Sequence, residues 1–78
     1  MENQVDQELK DIFETKLKAP HYSHDLSMLN LMSWDSLAHI GLILEIERRF
    51  KVSISSGEAI EMVSVRAIKE VLLEHGVS

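Results

Sequence analysis

The residue types that could do chemistry fall into two short groups: Asp35 and Ser36 with His39, and His21 with His24 and Asp25. Ser, His and Asp are the parts of a hydrolytic triad. There the base touches the nucleophile, a third group orients the base, and an oxyanion hole lies alongside. Three residues on one helical turn do not arrange that way, and no second glycine-rich loop offers donors. A hydrolase is therefore not expected. His39 projects toward the core-facing side of its helix, as a packing or pocket-edge residue. The His-x-x-His-Asp group lacks a fourth ligand, and no calcium-binding loop is present, so no metal site is expected. The chain has no cysteine, which removes disulfides, thiolate zinc sites and any protein thiol nucleophile. Ser36 is left as a hydroxyl at the start of an apolar helical run.

Size and charge narrow the setting. A chain of 78 residues fits one domain, 1–78, and buries only roughly 60% of its unfolded surface. That leaves little room for a deep, water-excluding active site, so a non-enzymatic role is expected. Lys and Arg total 8 against 13 Asp and Glu, a formal charge of -5. No basic face offers phosphate neutralisation, which argues against nucleic-acid binding. Protein partners fit an acidic surface better. No apolar run approaches membrane-spanning length, and the start MENQVDQELKD is acidic rather than signal-like. A cytoplasmic monomer is the expectation.

The elements that must position Ser36 follow from periodicity. Val5, Leu9, Ile12, Phe13 and Leu17 recur at helical spacing, predicting a first amphipathic helix that Pro20 stops. Residues 18–35 hold no sustained period, yet Leu26, Met28, Leu29, Leu31, Met32 and Trp34 give this segment anchors. It reads as a long packed loop with a short helical turn. Residues 36–50 predict the second helix, capped by Asp35 or Ser36, and 51–54 a short extended segment. Ser55 and Glu58 have capping-box spacing for a short third helix over 56–62. Ser64 caps a fourth, with Val65, Ile68, Val71 and Leu72 on one face and Gly76 closing it. The predicted fold is all-α: a four-helix bundle of three longer helices and one short one.

The second helix carries two apolar arcs at about 100° per residue. Leu42, Ile43, Ile46 and Phe50 form the core arc. Leu37, Ile40 and Leu44 form another, flanked by Gly41 and Arg48 and lying next to Ser36. Either the long loop covers this second stripe or it docks partner proteins. The basic run Arg48, Arg49 and Lys51 reads as a solvated helix end.

The stretch WDSLAHIGLILEIERRF, from Trp34 to Phe50, resembles the acyl and peptidyl carrier protein family. Asp35, Ser36 and Leu37 match its Asp-Ser-Leu hallmark, and Glu47 and Phe50 its Glu-x-x-Phe ending. The likeness continues through Val52, Ile54, Glu58, Ala59, Met62, Ser64, Val65 and Ala67, so the whole chain is covered as one acyl-carrier-like domain. The resemblance implies that Ser36 carries a 4'-phosphopantetheine arm, donated from coenzyme A by a phosphopantetheinyl transferase. Asp35 would support that modification by helping the transferase bind its metal and the serine. The arm's thiol would then hold acyl or aminoacyl cargo as thioesters. It would pass between an activating ligase and acyl-transferring or condensing enzymes docked on Leu37, Ile40, Gly41, Leu44, Glu45 and Arg48. Leu42, Ile46, Met62 and Ile68 would shelter part of an apolar cargo.

The chain departs from that pattern in three ways. Ser33 stands where the family has Gly, two positions before the Asp. Acidic residues usual on the exposed side of the second helix give way to Ala38, Gly41, Arg48 and Arg49, with mainly Glu45 and Glu47 kept. From Ser36 to Phe50 two Glu and two Arg cancel. Charge complementarity governs partner choice and encounter rate, so a dedicated carrier for a specialised pathway is expected. The alternative is an unmodified helical interaction module that docks through the second helix, with Ser36 only its cap.

Overall fold

Val5, Leu9, Ile12 and Phe13 lie a turn apart and are all buried on one side of α1 (Gln4–Lys16). The computed structural model describes residues 4–77. α1 ends before Pro20: Lys18 turns left-handed with φ 52°, and Ala19 N–H bonds back to the Phe13 carbonyl at 3.0 Å. The proline restricts Ala19 to extended backbone, so the chain leaves the helix earlier than Pro20 itself. Three further helices follow, α2 (Ser36–Phe50), α3 (Ser56–Glu61) and α4 (Val65–Glu74). Among the described residues the fold is all-α, with four helices and no strand.

α3 buries none of its own residues and is held by its ends. Its capping box is complete: Glu58 N–H donates to the Ser55 hydroxyl at 3.1 Å, and Ser55 N–H to the Glu58 carboxylate at 3.0 Å. Met62, which the 56–62 expectation placed inside the helix, is its fully buried cap. α4 follows the capping signal at Ser64, whose hydroxyl accepts from Ala67 N–H at 3.1 Å. Its expected face of Val65, Ile68, Val71 and Leu72 is buried. Gly76 takes φ 85° beyond its end, backbone that favours glycine.

The segment before α2 is packed, as expected, by Leu26, Met28, Leu31 and Trp34 but not by Leu29 and Met32. Trp34 is buried edge-on to Phe13, ring centroids 5.1 Å apart at 79°. Leu26, Met28 and Leu31 pack against the core. Met28 N–H donates to the Val63 carbonyl and Val65 N–H to that of Leu26, both at 3.0 Å, stitching the loop to the α3–α4 junction. Leu29 and Met32 are 99% and 97% exposed, which corrects their assignment as anchors. A helical turn closes over 27–31, with Leu31 N–H on the Ser27 carbonyl at 3.1 Å and Leu29 N–H on the Ser27 hydroxyl at 3.2 Å. With its ends tied through Ser27, Met28 and Leu31, that turn carries Leu29 on its solvent side.

Candidate functional site

Asp35 has extended backbone, and its carboxylate accepts from Ala38 N–H at 2.9 Å. It is the cap of α2, and Ser36 is the first helical residue. Ser36 is exposed, and among the described residues its hydroxyl makes no hydrogen bond. The capping role open to either residue thus belongs to Asp35. The amide ends and dipole of the first turn stand beside a hydroxyl that is not spent on them.

Two bonds brace the approach to Ser36. The Ser33 hydroxyl, at the position where the resembled pattern has Gly, donates to the Leu17 carbonyl at 2.5 Å and ties the loop to the end of α1. Trp34 Nε1–H donates to His39 Nδ1 at 3.0 Å, and the rings lie 28° from parallel. His39 Nε2 reaches the Ala59 carbonyl of α3 at 2.8 Å. Since the indole can only donate and the carbonyl only accept, the proton sits on Nε2. His39 is the packing residue its position on the helix suggested. Its bond to Trp34 escaped sequence reasoning, although a residue before the cap paired with one four places after it is a helix-start signature.

Beyond Ser36, the exposed residues of α2 are Leu37, Ile40, Gly41, Leu44 and Arg48. Leu37 is 81%, Leu44 61% and Ile40 59% exposed, so the long loop does not cover the second stripe. A Cβ built on Gly41 would meet nothing within 4 Å. Ile60, Val63, Leu29 and Met32 are further exposed apolar side chains, on α3, after it and in the loop. In a six-residue helix and an aperiodic loop, no repeat in the sequence marks which side faces water.

Glu45 does not belong to this face, contrary to its expected place among the docking residues. It is buried and bonded to Arg48 and, at 2.9 Å, to Arg49. At 100° per residue Glu45 falls between Gly41 and Arg49, on the side of α2 that meets α1, where Lys16 stands 3.9 Å from it. Hydrogen bonds from Arg49 and then Arg48 outweigh burial and hold its carboxyl below the usual range. Arg49 is corrected as well: instead of a solvated helix end, it bridges Glu45 to Glu8 at 2.9 Å and Asp11 at 2.7 Å of α1. Those contacts, Glu45 first, raise its pKa further. Glu47 is also turned to internal work, accepting from Ile54 N–H at 2.7 Å.

Phe50 is half-buried against the core, while Leu42, Ile46, Met62 and Ile68 are wholly buried. A cleft of about 380 Å³ lies elsewhere, lined by Val5, His24, Arg66, Lys69, Leu73 and Val77 among others. His24 meets Asp6 at 3.3 Å and Lys69 at 2.8 Å, and Asp25 lies 3.7 Å from Arg66. Among the described residues no three metal-ligating side chains converge. No helix among them is long and apolar enough to cross a membrane. No family model, curated protein or solved structure matches the chain.

Proposed function

We propose that this chain is a carrier protein whose Ser36 hydroxyl accepts 4'-phosphopantetheine from coenzyme A. The observation that carries the reading is the division of labour at the start of α2: Asp35 caps the helix, and Ser36 stays exposed with an unengaged hydroxyl. A serine kept only as a cap would do the work Asp35 does. The Asp-Ser-Leu resemblance supplies the identity of the modification.

In the transfer, the Ser36 oxygen attacks the pantetheine-bearing phosphorus. A serine O–P bond forms, the pyrophosphate P–O bond breaks, and adenosine 3',5'-bisphosphate leaves while the hydroxyl proton passes to a base of the transferase. The first turn of α2 then offers N–H groups and the positive dipole end to the attached phosphate. Asp35, already ordered by Ala38 N–H, stands next to the serine to support the transferase's metal. When attached, the arm supplies a thiol that carries acyl or aminoacyl groups as thioesters.

Leu37, Ile40, Gly41, Leu44 and Arg48 form the docking face for the transferase, an activating ligase and acyl-transferring or condensing enzymes. The exposed residues of that face include no carboxylate: Glu45 is buried, and Glu47 is half-buried and bonded to Ile54 N–H. A basic partner patch gains nothing there, which supports a dedicated carrier in a specialised pathway. A monomer in the cytoplasm is part of the same reading.

The second reading, an unmodified module docking through the same stripe, draws on the exposure of Leu37, Ile40 and Leu44 alone. Incubation with coenzyme A, Mg²⁺ and broad-specificity phosphopantetheinyl transferases separates the two by intact mass. The carrier gains one arm and Ser36→Ala gains none. No gain with several transferases, or a gain that survives Ser36→Ala, sinks the carrier reading and leaves the module.

A further inference from the structure

We infer that Trp34 and His39 form a clamp that positions Ser36 for modification, an inference that rests on the carrier reading. Trp34 stands one residue before the cap and His39 four after it, so their 3.0 Å bond closes a loop around Ser36. Within that loop Asp35 accepts from Ala38 N–H at 2.9 Å and from His39 N–H, through its carbonyl, at 2.8 Å. Outside it the clamp is anchored twice. Trp34 is 1% exposed against Phe13, and His39 Nε2 holds the Ala59 carbonyl at 2.8 Å.

Contact between the residues before the cap and after the first turn fixes the angle at which the chain enters a helix. Apolar side chains ordinarily make that contact. Here it is a directional hydrogen bond between two rings, so it also restricts rotation about the junction. Ser36 inherits the consequence: its main chain is held from both sides while its hydroxyl stays free. Displacement of a reacting atom by about 1 Å can lower a rate about a hundredfold. The clamp therefore acts on the chemical step and leaves the docking face untouched, because neither ring lies on it.

The test uses the full chain, a transferase, coenzyme A and Mg²⁺, with steady-state kinetics for wild type, Trp34→Phe, His39→Leu and His39→Gln. Circular dichroism at the assay temperature reports folding, and the indole N–H resonance reports the bond. Trp34→Phe and His39→Leu are expected to keep helix content and KM while kcat falls about tenfold. His39→Gln offers an oxygen to Trp34 and an N–H to Ala59 and restores kcat to within about threefold. The clamp is overturned if kcat is unchanged in folded His39→Leu, if the Gln variant is no better than Leu, or if KM alone moves. Should Trp34→Phe unfold, the Leu and Gln comparison decides. A wild type that no transferase modifies overturns the carrier reading and the clamp's role with it. That failure differs from the others because the Trp34 indole resonance in wild type and the His39 variants still reports whether the bond forms.

Discussion

Asp6 shows how much one side chain can hold in a domain this small. Burial pushes its carboxyl up, but hydrogen bonds from Lys69, Tyr22 and His24 outweigh that and keep it below the ordinary 3.8. A depressed folded value means the unfolded chain takes up the proton first as pH falls. The stabilisation is complete above 3.8 and is lost as pH drops through the lower folded value. Asp6→Asn should cost about 1–2 kcal/mol near neutrality. The gap from wild type should narrow as pH falls below 3.8, read from thermal midpoints across the acid range. A gap that stays constant would remove Asp6 from the acid transition. None of this was legible in the sequence, since Asp6 and Lys69 are ordinary helix charges until the fold joins them. Glu45 and Arg49 escaped for the same reason: a charge on α2 reads as solvated until α1 is laid over it. Ser36 and Asp35 were legible because capping is local, and the structure assigned the cap to one of them.

At the scale of elements, periodicity did most of the work. The two arcs of α2, the stripe of α1 and the face of α4 all follow from a 3.6-residue repeat. The loop and α3 are too short or aperiodic for such a repeat, so Leu29 and Met32 were read inward and Ile60 was passed over. The exposed arc now supports a prediction. Leu37→Ala or Ile40→Ala should change folding stability by less than about 0.5 kcal/mol, as surface sites do. Either should raise the transferase KM several-fold with kcat nearly intact, the reverse of the pattern expected at His39. Chemical denaturation beside the kinetics checks both halves. Unfolding by either substitution would return the stripe to the core.

The whole molecule is gathered tightly, with a radius of gyration of 11.2 Å against roughly 11.5 Å for a compact chain of this length. The long segment before α2 could not contribute to that figure if it hung free. One apolar cluster draws on α1, Leu17, Ala19, Trp34, α2, Met62 and α4. Of these, α4 supplies Val65, Ile68, Val71 and Leu72. At about 1.5 kcal/mol or more for each side chain, their loss removes about 6 kcal/mol. The total stability typical of this length is about 4–12 kcal/mol.

The bond between Lys69 and Asp6, 2.9 Å long, joins residues 63 apart in the chain. Its consequence concerns the order of events during synthesis. α1 leaves the ribosome long before α4, and both the Asp6 tie to Lys69 and the apolar cluster α1 shares with Val65, Ile68, Val71 and Leu72 stay incomplete until α4 has emerged. The domain is therefore expected to acquire its fold in one late step rather than helix by helix. Nascent chains stalled after residue 63 should stay protease-sensitive, while those extended past residue 77 and clear of the exit tunnel should resist. Resistance before α4 emerges would show that the first three helices suffice.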